Sequence, residues 1–186
     1  KNKSKIVCLT AYSKSIAKIL DKFVDIILVG DSMANVLYGY KSTHQISLKN
    51  IIQHTQSVKM GTRKSLLVVD MPKGSYSNTK QAQKNAKLVM TKTKCDAIKL
   101  ESNGRNFKII KELVKKKIPV MGHIGYTPQF KKKFKVEGDS ILGSLKLLKE
   151  ASDIEKAGAF SIVLECISVK TAKIITRELN IPTIGI

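Results

Sequence analysis

Arginine is nearly absent from this strongly basic chain. Of its 34 Lys and Arg residues only Arg63, Arg105 and Arg177 are arginine, and with 14 acidic residues the formal charge is +20. A basic surface attracts phosphate, but readers of bases and phosphates favour the bidentate guanidinium fork. The lysines lie over nearly every expected helix, as on a solvated face, with local runs only at Lys115–Lys117 and Phe130–Phe134. A lysine-rich nucleic-acid-binding protein is therefore a secondary reading. Cysteine is scarce and odd in number: Cys8, Cys95 and Cys166 lie in or beside apolar runs. That argues against a disulfide framework or a zinc site and suits reduced, buried thiols in a cytoplasmic protein. No apolar run approaches the ~18 to 20 residues that span a membrane, and no signal peptide is visible. No GxGxxG follows the first apolar run, which weighs against an open dinucleotide-binding sheet. Nothing reads as a linker, so a single domain over 1–186 is expected.

What the chain does have is a carboxylate at the end of one apolar run after another. Asp31 ends DIILVGD, Asp70 ends SLLVVD, Glu101 ends AIKLE and Glu165 ends FSIVLE; His123 ends a fifth run, IPVMGH. Such runs read as strands buried on both faces, and a charged group at the tip of one needs a reason to be there. The expected strands are Ile6–Leu9, Ile26–Gly30, Leu66–Val69, Ala97–Leu100, Pro119–Gly122, Phe160–Leu164 and Pro182–Ile186. Helical patterns fill the intervals, with Ser47, Asp139 or Ser140, and Ser168 as caps. Alternation of this kind gives right-handed βαβ units and a parallel sheet. Polar residues end nearly every strand rather than one switch point, so the expected architecture is an α/β (β/α)8 TIM barrel. The 186 residues are slightly short for it, beginning at Lys1 without Met and stopping inside the apolar run IPTIGI. A barrel incomplete at its C-terminus, lacking the region of strand 8, is the expectation.

Asp31, Asp70 and Glu101 end three consecutive strands, where three carboxylates repel unless a cation sits among them. All-oxygen ligation favours Mg2+. The plainer reading is that each acid caps a helix or pairs with a lysine. Lys99, two residues before Glu101, faces the same way along its strand and suits an anionic substrate or an enolate. Glu165 is a candidate general base. His123 can hydrogen-bond a substrate carboxylate or carbonyl, and Ser32 can donate to substrate oxygens. His44 and His54 have no ligand spacing and read as surface residues.

Several motifs together resemble the ketopantoate hydroxymethyltransferase family. They are TAY (10–12), LVGDS (28–32), STHQISLKNIIQHTQSV (42–58), DMP with SY at 75–76, KLE (99–101), GHIGYTPQ (122–129), KVEG (135–138), EKAGAFSIVLEC (155–166) and IPTIGI, in family order over nearly the whole chain. The resemblance implies a barrel of the phosphoenolpyruvate/pyruvate type. It also implies transfer of a hydroxymethyl group from 5,10-methylenetetrahydrofolate to 3-methyl-2-oxobutanoate, giving 2-dehydropantoate for pantothenate and coenzyme A biosynthesis. It places Asp31, Asp70 and Glu101 around Mg2+, makes Asp31, Ser32, Asp70, Lys99 and His123 contacts of the keto acid, and makes Glu165 the proton acceptor. It further implies a homo-oligomer, since relatives form decamers. The chain departs from the family pattern in its short basic Phe130–Phe134 segment and in Lys73, where an aromatic is usual. Another Mg2+-enolate barrel of the isocitrate lyase or phosphoenolpyruvate mutase type is the enzymatic alternative, although the cysteine signature of the lyases is not apparent.

Overall fold

A computed structural model describes residues 5–186, so the expectation of a cut N-terminus at Lys1 lies outside the described residues. Strands and helices alternate from end to end: β1 (Cys8–Thr10), α1 (Lys14–Leu20), β2 (Ile26–Val29), α2 (Met33–Val36), α3 (Leu48–Lys59), β3 (Leu66–Asp70), α4 (Thr79–Thr93), β4 (Ala97–Glu101), α5 (Phe107–Lys115), β5 (Val120–Gly125), α6 (Ile141–Lys156), β6 (Ser161–Glu165), α7 (Val169–Glu178) and β7 (Thr183–Gly185). The seven strands form one sheet in chain order, β1 to β7. An order that never turns back is that of a (β/α)8 barrel and excludes an open doubly wound sheet with its switch point. Short α2 and a 3-10 turn at Thr43–Gln45 were not anticipated from periodicity, because each is too brief to show any. Among the described residues no helix is long and apolar enough to cross a membrane.

The chain divides into two compact units, Lys1–Tyr76 with Lys84–Ile98, and Ser77–Gln83 with Lys99–Ile186. In the first, β1, β2 and β3 pair in parallel, Cys8 opposite Ile26 and Ile26 opposite Leu66. α3 begins with a reciprocal cap: the Ser47 hydroxyl accepts the Asn50 N–H at 3.2 Å, and the Asn50 side chain accepts the Ser47 N–H at 3.1 Å. It buries Ile51, Thr55 and Val58, a stripe at i, i+4, i+7. Three aspartates hold the turns into strands. Asp25, before β2, accepts the Val7 N–H at 2.8 Å, and Asp96, before β4, accepts the Leu67 N–H at 2.8 Å. Asp21, ending α1, gathers the N–H groups of Arg63, Lys64 and Ser65 at 2.8 to 3.1 Å. Burial raises its pKa, but the backbone donors at Ser65, Lys64 and Arg63 outweigh burial and hold the carboxyl below its ordinary value.

In the second unit β5, β6 and β7 are parallel, Met121 opposite Ser161 and Ile162 opposite Thr183. Every residue of β4 and β5 is buried, as a sheet covered on both faces requires. The expected end of the fifth strand at Gly122 is corrected: β5 runs to Gly125, so His123 lies within the strand rather than at its tip. Gly122 reads as a breaker in sequence, yet it marks close packing, since a Cβ there would meet Ile154 of α6 at 2.6 Å. α6 is capped by the Ser140 hydroxyl, which accepts the Gly143 N–H at 3.1 Å, and buries Leu147, Ala151 and Ile154. Ser168 stands at the cap of α7, but its hydroxyl donates to the Gly138 carbonyl instead of serving the helix. Of the cysteines only Cys95 is buried; Cys8 and Cys166 are half-buried, and none of the three is in a disulfide among the described residues. Burial pushes the Cys95 thiol up, which leaves it a packed, unreactive group.

Candidate active site

Asp31, Ser32 and Asp70 lie in the first unit. Asp70 is the last residue of β3, and Asp31 follows β2 by two residues; they are only 3 and 4% exposed. The Asp31 N–H donates to Asp70 Oδ2 at 3.2 Å, which ties the tips of the two strands together. Ser32 stands at the N-cap position just before α2, but its hydroxyl makes no cap and pairs with the Tyr12 hydroxyl at 2.8 Å. Tyr12 is in turn held through its carbonyl by His54 Nδ1 at 2.8 Å, while His54 Nε2 meets the Tyr38 hydroxyl at 2.9 Å. His54 is therefore half-buried and doubly bonded, not the surface residue expected from sequence. His44 is exposed as expected and lies 3.2 Å from Lys73 Nζ.

Lys99, Glu101, His123 and Glu165 lie together in the second unit. Lys99 and Glu101, both buried, lie two residues apart in β4. Lys99 Nζ lies 3.4 Å from His123 Nδ1, and Glu101 Oε1 lies 3.8 Å from the same nitrogen. His123 Nε2 is 3.1 Å from Glu165 Oε2, a close polar contact rather than an aligned hydrogen bond. An ammonium can only donate, so Nδ1 is assigned as the acceptor and the ring proton sits on Nε2, facing Glu165. Glu101 is fixed by residues that sequence reasoning did not single out: the Gln129 N–H donates to its Oε2 at 2.9 Å, and the Asn106 amide to its carbonyl at 2.8 Å. Glu165 ends β6 with about a quarter of its side chain exposed. It is not a cap, since the residue that opens α7 is Ser168.

Register brings Gly125 opposite Glu165, and the Tyr126 N–H donates to the Glu165 carbonyl at 2.8 Å. Gly125 has φ +96°, and a Cβ on it would fall 2.0 Å from that carbonyl oxygen, so only glycine fits beside Glu165. One partly exposed carboxylate, an imidazole and a buried ammonium can together bind an anion and move a proton.

Among the described residues no group of three or more His, Cys, Asp or Glu side chains is placed to hold a metal by itself. Asp31 and Asp70 offer only oxygen donors from two buried carboxylates. That donor set fits Mg2+, which keeps waters and uses one or two carboxylates rather than a protein cage.

The chain has close relatives in sequence and more distant ones in fold. It is 52% identical over 186 residues to the 3-methyl-2-oxobutanoate hydroxymethyltransferase of Pelagibacter ubique (strain HTCC1062), covering all of this chain and 72% of that protein. A phosphoenolpyruvate phosphomutase from Streptomyces platensis subsp. rosaceus superposes with a TM-score of 0.75 at 11% identity, over 99% of this chain and 69% of that one. A phosphonopyruvate hydrolase in complex with oxalate and Mg++ superposes with a TM-score of 0.73 at 12% identity, over 97% of this chain and 66% of that one. The fold is thus of the phosphoenolpyruvate mutase kind. The family model described as ketopantoate hydroxymethyltransferase matches residues 1–186, and the chain belongs to that family of enzymes.

Proposed function

We propose that this chain transfers a hydroxymethyl group from 5,10-methylenetetrahydrofolate, with water, to 3-methyl-2-oxobutanoate, giving 2-dehydropantoate and tetrahydrofolate. The observation that carries the reading is the Lys99–His123–Glu165 constellation, in which a buried cation and an imidazole lead to a carboxylate at the tip of β6. Asp31 and Asp70, the two buried carboxylates of the first unit, would hold Mg2+. When bound, the ion supplies Lewis acidity to the keto-acid oxygens and stabilises the charge that develops there.

The chain's own residues do the rest. Ser32, oriented by the Tyr12 hydroxyl, donates to a substrate oxygen. Lys99 balances the negative charge of the keto acid, and His123 hydrogen-bonds it. Glu165 removes the proton from C3, and that carbon then attacks the one-carbon unit of the folate. The oxalate and Mg++ bound by the phosphonopyruvate hydrolase of like fold support the metal assignment. A cytoplasmic place and a homo-oligomeric assembly belong to the same reading. The exposed apolar side chains of Ile141, Leu142 and Val169 support assembly, which sedimentation velocity tests.

The deciding experiment is exchange of the C3 proton of 3-methyl-2-oxobutanoate in heavy water. Exchange that requires Mg2+ is the expected result; a protein that turns over the complete reaction without ever exchanging C3 would overturn the enolate mechanism.

A further inference from the structure

The second unit holds a cavity of about 250 Å³ beside the Glu101–His123–Glu165 cluster. Ser102 in its wall directly follows Glu101, and Gly125 in its wall pairs in register with Glu165. A co-substrate seated there is next to the residues that handle the keto acid. Two acids line it, and they differ in what surrounds them. Glu137 is closed on itself, paired with Lys131 at 3.0 Å, while Lys131 also donates to the Gly125 carbonyl at 2.7 Å. Glu150, from α6, forms no ion pair among the described residues; its Oε1 accepts the hydroxyl of Ser102, which is 5% exposed. Ser102 is itself held by the Gly104 N–H at 3.0 Å. A buried hydroxyl thus aims a carboxylate at the cavity without neutralising it.

A carboxylate has about four lone-pair sites, and one hydroxyl leaves most of them for a ligand. Two parallel acceptors match a flat ring edge that presents two adjacent N–H donors, and a charge-assisted bidentate pair of this kind is strong and geometrically selective. Phe130, 41% exposed, gives the same cavity an aromatic face, and Lys146 adds an exposed cation.

We propose that this cavity seats the 2-amino-4-oxopterin ring of the reduced folate, with Glu150 accepting from ring N3–H and the 2-amino group. Phe130 stacks on the ring, and Lys146 meets the carboxylates of the glutamyl tail. The assignment rests on the reading that a reduced folate is the one-carbon donor.

The test is calorimetric titration of the full chain with 5-formyltetrahydrofolate, which binds without reacting. Glu150→Gln weakens binding tenfold or more, Glu150→Asp recovers part of the loss, and Lys132→Ala, an exposed lysine outside the cavity, leaves it as it was. A 2-desamino-2-methyl analogue binds the unaltered protein as weakly as the parent ligand binds Glu150→Gln, and the two losses do not add, as a direct contact requires. The analogue arm uses the unaltered protein, so it decides even if the Gln variant misfolds. Undiminished affinity in Glu150→Gln, undiminished affinity for the analogue, or no folate binding at all overturns the proposal. Exchange at C3 of the keto acid needs no folate: where exchange persists, such a failure belongs to the cavity assignment alone, and where it is absent the hydroxymethyltransferase reading fails with it.

Discussion

Acidic residues divide by which end of a strand they occupy. Asp25 and Asp96 stand just before strands and accept neighbouring N–H groups, while Asp70, Glu101 and Glu165 are the last residues of theirs. Glu165 does not cap the helix that follows it; its carboxylate meets His123 instead. Glu165→Gln is isosteric and keeps a hydrogen-bonding group beside His123, so it should lower C3 proton exchange by about 10³-fold, within the range of a general base. Keto-acid affinity should move by less than about threefold; exchange retained in the variant removes Glu165 from the role. Asp21 belongs to the structural class. Asp21→Asn should destabilise the fold by about 2 kcal/mol, the scale of charged hydrogen bonds to backbone donors. Because the folded-state pKa of Asp21 is lowered, its contribution is complete above the unfolded value near 4 and disappears as pH falls through the folded value. Denaturant melts of the pair should therefore differ at pH 7 and converge in acid below about pH 4; a gap that persists unchanged in acid would assign the loss to packing.

Helices and strands follow local patterns closely, and where they depart from them a distant partner intervenes. Ser47 and Ser140 are caps as expected, because a hydroxyl three residues ahead of a free N–H needs no distant partner. Ser47→Ala should cost about 1 kcal/mol in equilibrium unfolding with no change in C3 exchange. Ser168 is the counter-example: the Gly138 carbonyl, thirty residues away, takes its hydroxyl. β5 is longer than expected for a similar reason, as its glycines admit Ile154 and the Glu165 carbonyl rather than ending the strand. Gly125→Ala combines a forbidden φ with a 2.0 Å clash and should destabilise by at least about 3 kcal/mol, displacing Glu165 as it does so. A variant whose unfolding free energy lies within about 1 kcal/mol of the original would mean that the β5–β6 pairing yields to accommodate a Cβ.

For the molecule as a whole, charge says little about function. Most lysines lie on exposed helical faces, and Lys131, within one of the two basic runs, is engaged by Glu137 and Gly125. Binding of Mg2+ to the folded state alone should raise the melting temperature by mass action, about 2.7 kcal/mol at a hundredfold excess over Kd. Chelation should reverse the gain and Asp70→Asn should remove most of it; an equal gain in that variant would move the metal elsewhere. The sequence by itself determined the α/β alternation, the unreversed strand order and the carboxylates that tip β3, β4 and β6, since these depend on periodicity and on neighbours within a few residues. Only the tertiary structure decided which side chains meet. Asp21 finds its donors at residues 63–65, His123 finds Glu165, and Ser102 finds Glu150, each across more than forty residues. No local pattern encodes such pairs, because strand register and helix packing, not sequence spacing, set the distance between them.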